Sequence, residues 1–172
     1  MQVVQLFRGT VFDNLTLGYG SVSRDAVQHA AAITGADTFI QALPQGYDTL
    51  LGSGLQLSAG QRQLLALTRA LVWDPAVLLL DEATAAIDSA SEAAFRAALR
   101  AAVVGCGRTV LTVAHRLATA QEADRVLVLE AGRIVEEGPP EELIRRGGRF
   151  AALLELEAAG WDWQTDGRAF AP

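Results

Sequence analysis

The sequence predicts an α/β protein built on a parallel sheet, and three observations predict it. The apolar run VLLL, residues 77–80, is continuous and bounded by turn residues, as suits a strand buried on both faces. TVLTVAH, residues 109–115, reads as a second buried strand. Between them, Phe95, Ala98, Leu99 and Ala102 recur at helical spacing, and strand, helix, strand in this order is the signal of a βαβ unit.

Each element follows from its own signals. Ser23 opens a helical pattern through Ala26, Val27, Ala30 and Ile33, and Gly35 closes it. A shorter helix from Asp37 to Ala42 runs into Pro44. PQGYDTLLGSGLQL, residues 44–57, has no sustained period and reads as a glycine-rich connection. Ser58 and Gln61 then stand at capping-box spacing before an amphipathic helix that reaches Trp73 and stops at Asp74-Pro75. After the first strand, Ser89 and Glu92 form a second capping box, and Gly105 and Gly107 close the helix that it opens. A short helix around Thr119 to Ala123 follows the second strand. Arg125 to Glu130 and Arg133 to Glu136, joined by Ala131-Gly132, predict a hairpin. Pro139 and Pro140 open a final helix, which breaks near Gly147-Gly148 and resumes from Phe150 to Leu156. Residues 159–172 are expected to be a mobile tail, in which Trp161 and Trp163 either pack or dock on a partner.

Composition narrows the function. With 172 residues, 51% of them hydrophobic, the chain is long enough for one sizeable core. Its longest apolar stretches, such as Ala76 to Leu80, are too short to span a bilayer, and no leader pattern is visible, so a membrane role is expected to be peripheral. A net charge of -6 argues against a nucleic-acid partner, whose phosphates attract clustered basic residues. The single cysteine, Cys106, forms no internal disulfide and reads as a small buried thiol. All 14 basic residues are arginine, and there is no lysine.

Three stretches carry chemistry. VLLLDEATAAID, residues 77–88, ends a strand on two adjacent acids, where ligands of a parallel sheet bind. Asp81 could hold a divalent cation through its waters while Glu82 orients or deprotonates an attacking water; the alternative is a strand that simply ends in solvated acids. LSAGQRQ, residues 57–63, places a serine cap, a small residue and Gly60 at a helix N-terminus, where free amides and the helix dipole attract an anion. An ordinary capped helix would account for Ser58 and Gln61, but not for the glycine. His115 follows the second strand on the same sheet edge as Glu82. A lone histidine there is more often structural, and its position beside two other candidates reverses the expectation.

In order and spacing, LSAGQ, VLLLDEATAAID and VAHRLAT resemble the nucleotide-binding domain of ATP-binding-cassette (ABC) transporters, from the first residues to about Phe150. The resemblance implies a P-loop NTPase-like α/β fold with a parallel sheet and a helical signature subdomain. LSAGQ is similar to the signature motif, with Ala59 where glycine is usual, and implies that Ser58, Ala59, Gly60 and Gln61 bind ATP. VLLLD resembles the Walker B strand, which makes Asp81 the Mg2+ water ligand and Glu82 the catalytic base. Asp88 would lie in the D-loop between two cassettes, and His115 would be the switch histidine at the terminal phosphate. QVVQLFRGTVFDNL is similar to the Q-loop region of exporter-type cassettes, with Gln2 rather than Gln5 as the glutamine serving both catalysis and Mg2+.

The departures matter equally. DTLLGSGLQLSAGQ has no glutamate where exporter cassettes carry one. A chain without lysine has no GxxxxGK[ST] phosphate loop, whose lysine reaches the β- and γ-phosphates. The expectation is therefore the portion of a cassette from the Q-loop onward, with the N-terminal strands missing. Residues 1–158 would be a partial nucleotide-binding domain, about 15–73 the helical signature subdomain and 74–158 the core. The implied partners are a second nucleotide-binding domain, head to tail, and the transmembrane domain of an exporter at the cytoplasmic face of the plasma membrane. A non-catalytic module that lends its signature helix to a complete cassette is one alternative. A soluble cassette ATPase of DNA repair or translation is another.

Overall fold

Side-chain caps decide where three of the helices begin. The computed structural model describes residues 5–52, 56–81, 89–103, 107–114 and 117–160, which divide into two units, Met1–Thr112 and Val113–Pro172.

In the first unit β1 (Gly9–Thr10) pairs antiparallel with β2 (Leu50–Leu51). α1 (Val11–Thr16) follows directly, opened by a reciprocal capping box between Thr10 and Asp13. α2 (Arg24–Thr34) has Ser23 as its cap and ends at Gly35, whose φ of 72° is the left-handed conformation that glycine accepts without strain. α3 (Ala36–Gln41) leads into a single 3-10 turn at Gly46–Asp48. α4 (Ala59–Leu71), β3 (Val77–Asp81), α5 (Ser89–Val103) and β4 (Thr109–Val113) complete the unit's elements, β4 running across the division between the two. β3 and β4 pair as a small parallel sheet. Helices α2, α4 and α5 build the core with Val27, Ala30, Ala31, Leu65, Leu71, Phe95 and Ala98, all buried. Alanine on the facing surfaces lets the helices approach closely, and a buried hydrogen bond of 2.7 Å joins the Thr34 and Thr68 hydroxyls.

Two-face burial of the strands is corrected by the structure. Leu78 is buried in the helical core and Val110 packs against it, but Val77, Leu79 and Leu111 are more than half exposed. Successive strand residues point to opposite faces, so helices cover one face of the sheet and the other lies open.

The second unit holds α6 (Leu117–Gln121), β5 (Val126–Glu130), β6 (Arg133–Gly138), α7 (Pro140–Arg146) and α8 (Arg149–Ala158). α6 begins two residues before the expected start because Leu117 is buried with Val126, Leu143 and Phe150. β5 and β6 form the expected antiparallel hairpin, with Ala131 and Gly132 both at positive φ in its turn. The break between α7 and α8 has a chemical reason. Glu136 on β6 accepts from the amides of Arg149 at 2.6 Å and Phe150 at 3.0 Å, and a side chain at residue 148 would collide with that carboxylate. Trp161 and Trp163 lie outside the described residues.

The open face of β3 and β4 generates a prediction. Val77 and Leu79 together present an apolar strip of the kind that drives association. The chain is expected to self-associate as its concentration rises in light scattering, and replacement of both residues by threonine to reduce this without loss of helical signal. A wild-type chain that stays monomeric at every concentration contradicts the prediction.

Candidate functional site

The site begins with the residues that open α4. Ser58 has extended backbone angles, its Oγ accepts from the Gln61 amide at 3.1 Å, and its own amide donates to Gln61 Oε1 at 2.9 Å. The first intrahelical bond runs from the Arg62 amide to the Ser58 carbonyl at 3.0 Å. Helix geometry therefore leaves the amides of Ala59 and Gly60 without an acceptor inside the helix.

Charge distinguishes this terminus from the others. The first turns of α2 and α5 carry Asp25 and Glu92, and the first amides of α8 meet Glu136. α4 has no acid in its first turn, and its third position is the neutral Gln61. The first turn of α4 thus adds no carboxylate of its own at the positive end of the helix dipole. The terminus suits a phosphate, which needs donors and an absence of competing anions.

Gly60 has a further neighbour that sequence reading missed. It is buried, and a Cβ built on it would stand 2.6 Å from the Cβ of Ser91 in the first turn of α5. The glycine thus lets the N-terminal turns of α4 and α5 touch, a packing reason for the residue that an ordinary capped helix lacked. Ser91 lies 31 positions away, and no local pattern in the sequence links the two.

Asp81 is the last residue of β3 and is exposed at its carboxyl end. Gln2, Glu82, Asp88, Cys106 and His115 lie outside the described residues, so Asp81 and Ser58 to Gln61 are the members of the expected site that the structure places. Among the described residues, no group of three His, Cys, Asp or Glu side chains could hold a metal ion. A single strand-end carboxylate still fits Mg2+, which is commonly held by one or two carboxylates together with phosphate oxygens and waters.

Residues 1–85 match the family described as ABC transporter. The chain is 46% identical over 157 residues to the ATP-dependent lipid A-core flippase of Chromohalobacter salexigens, covering 91% of this chain and 27% of the relative. It is 45% identical over 153 residues to P-glycoprotein 14 of Caenorhabditis elegans, covering 88% of this chain and 11% of that one. Its fold matches the structure of a bacterial Atm1-family ABC exporter with ATP bound at a TM-score of 0.77 and 40% identity, covering 91% of this chain and 27% of the exporter. The chain thus spans about a quarter or less of the length of these relatives.

The Gly60–Ser91 contact is testable without any ligand. Gly60→Ala is expected to cost about 1–3 kcal/mol in chemical denaturation, the usual scale of overpacking, and a second change, Ser91→Gly, to recover most of it. Equal destabilisation with and without Ser91→Gly means that the packing reason is wrong.

Proposed function

We propose that the chain, which matches the ABC transporter family over residues 1–85 and is similar to the nucleotide-binding domain of exporter-type members, serves as the ATP-binding and hydrolysing part of an exporter. One observation carries the reading: the first turn of α4 carries LSAGQ and offers two amides and no acid. The phosphates of an ATP held by a second nucleotide-binding domain, head to tail with this one, would meet the amides of Ala59 and Gly60. Ser58 and Gln61 keep that turn in shape.

The remaining roles follow the family pattern. Asp81 would hold Mg2+ through water, with Gln2 contributing. Bound there, the ion would supply positive charge to offset that of the phosphates. Glu82 would accept the proton of the attacking water, His115 would donate to the terminal phosphate, and Asp88 would lie between the two cassettes.

This chain brings no lysine to the phosphates. The lysine loop would therefore be supplied by another segment or chain, and the 172 residues alone would not turn over ATP. Among the described residues no helix is long and apolar enough to cross a membrane. Attachment at the cytoplasmic face of the plasma membrane would come through a transmembrane domain, which would also select the transported substrate. The absence of lysine also favours a second reading, in which the chain is a non-catalytic module that lends α4 to a complete cassette.

Mixing experiments separate these readings. The purified chain is expected to show no ATP turnover and to associate with a lysine-loop cassette only when ATP is present. Gln61→Glu retains a capping box but adds an anion, and is expected to weaken that association about tenfold or more. Stimulated turnover in the mixture that Glu82→Gln abolishes favours the catalytic reading; association with turnover indifferent to Glu82→Gln favours the module. ATP turnover by the chain alone, lost on Glu82→Gln, would overturn both.

A further inference from the structure

Residues 5–8 belong to no regular element, yet they are tied to two helices at once. Asn14 on α1 is buried to 1% exposure, and its side chain makes three of its four possible hydrogen bonds nearby. Its Oδ1 accepts from the Phe7 amide at 2.8 Å, and its Nδ2 donates to the carbonyls of Phe7 and Thr10, both at 2.9 Å. One amide side chain thus holds both backbone groups of Phe7, as a neighbouring strand would.

The carbonyl of Asn14 is then taken by Arg69, eleven residues along α4 from Ser58. Arg69 Nε donates to it at 2.8 Å, and its two terminal nitrogens lie 3.4 and 3.3 Å from the carbonyl of Gln5. Its guanidinium carbon stands 5.4 Å from the centre of the Phe7 ring. Burial pulls its pKa below the ordinary arginine value. Among the described residues its hydrogen bonds go to backbone carbonyls, with no carboxylate to offset its charge. A half-buried cation directed at carbonyls from two separate segments supplies geometry, because the planar fork reaches both at fixed angles.

We infer that Asn14 and Arg69 are positioning residues that clamp residues 5–7 to α4, so that this segment and the helix carrying Ser58–Gln61 move as one body. The clamp rests on contacts within one unit and does not depend on the cassette reading. α4 is a continuous helix, and at 1.5 Å per residue the clamp lies about 16 Å from the N-terminal turn. A displacement of residues 5–7 therefore reaches the N-terminal turn of α4, with Ala59 and Gly60, through a stiff rod. Without Arg69, the segment would keep its Asn14 bonds to α1 but lose its tie to α4.

Hydrogen–deuterium exchange on the full chain, without nucleotide, tests this and leaves the ATP reading out of the outcome. In the wild type the Phe7 amide and the amides in the C-terminal half of α4 are expected to open together, with exchange protection alike within a few-fold. In Arg69→Met the Phe7 amide is expected to exchange about tenfold faster while the α4 amides stay within about twofold. Arg69→Lys keeps the charge and most of the stem but lacks the Nε donor, and should show the same separation, which serves if the methionine variant does not fold. Unequal protection in the wild type overturns the inference. So does a variant in which both sets of amides accelerate equally, because that is loss of stability rather than of a clamp.

Discussion

The close approach of α4 to α5 is possible because residue 60 has no side chain, and the arrangement of the candidate site depends on that contact. Two helix N-terminal turns meet at Gly60 and Ser91. A Cβ at residue 60 would force the turns apart and move the amides of Ala59 and Gly60. The capping box of Ser58 and Gln61 fixes the same turn from within. Packing from outside and capping from inside therefore determine where those donors sit, before any ligand arrives. Such preorganisation spares a site the cost of ordering itself on binding.

The electrostatics agree with this design. A chain with net charge -6 repels a polyanion overall, so a phosphate site on it needs a local source of positive potential. In the described part of the candidate site that source would be backbone: the dipole of α4 and the amides of its first turn, which carries the neutral Gln61 and no acid. Arginine takes another role in α4. Arg69 is half-buried against carbonyls of the preceding chain, where it holds one segment to another rather than attracting an anion.

The sequence was most legible where chemistry is local. Ser23 and Gly35 bracket α2, Ser58 and Gln61 form the capping box of α4, and the Gly147-Gly148 pair marks the break between α7 and α8. Ala131-Gly132 identified the hairpin, because only a few residue pairs accept two positive φ angles. The two-residue strands β1 and β2 were not legible, since two residues show no period, and the short helix α1 beside them was not read either. The strands β3 and β4 were read correctly as strands and wrongly as buried on both faces: an apolar run records what a face could pack against, not what does. In the site, Ser58 to Gln61 and Asp81 could be found from motif and position. Ser91, Asn14 and Arg69 could not, because each acts on residues distant in sequence or through backbone groups that no pattern records.

In the proposed function, the first-turn amides of α4 receive the phosphates of ATP. Amide chemical shifts in an isotopically labelled chain, mixed with a lysine-loop cassette and titrated with Mg2+ and a non-hydrolysable ATP analogue, test it most directly. Ala59 and Gly60 are expected to shift most among the α4 amides and to saturate with the analogue. Saturation of the partner cassette with no change at Ala59 and Gly60 would contradict it.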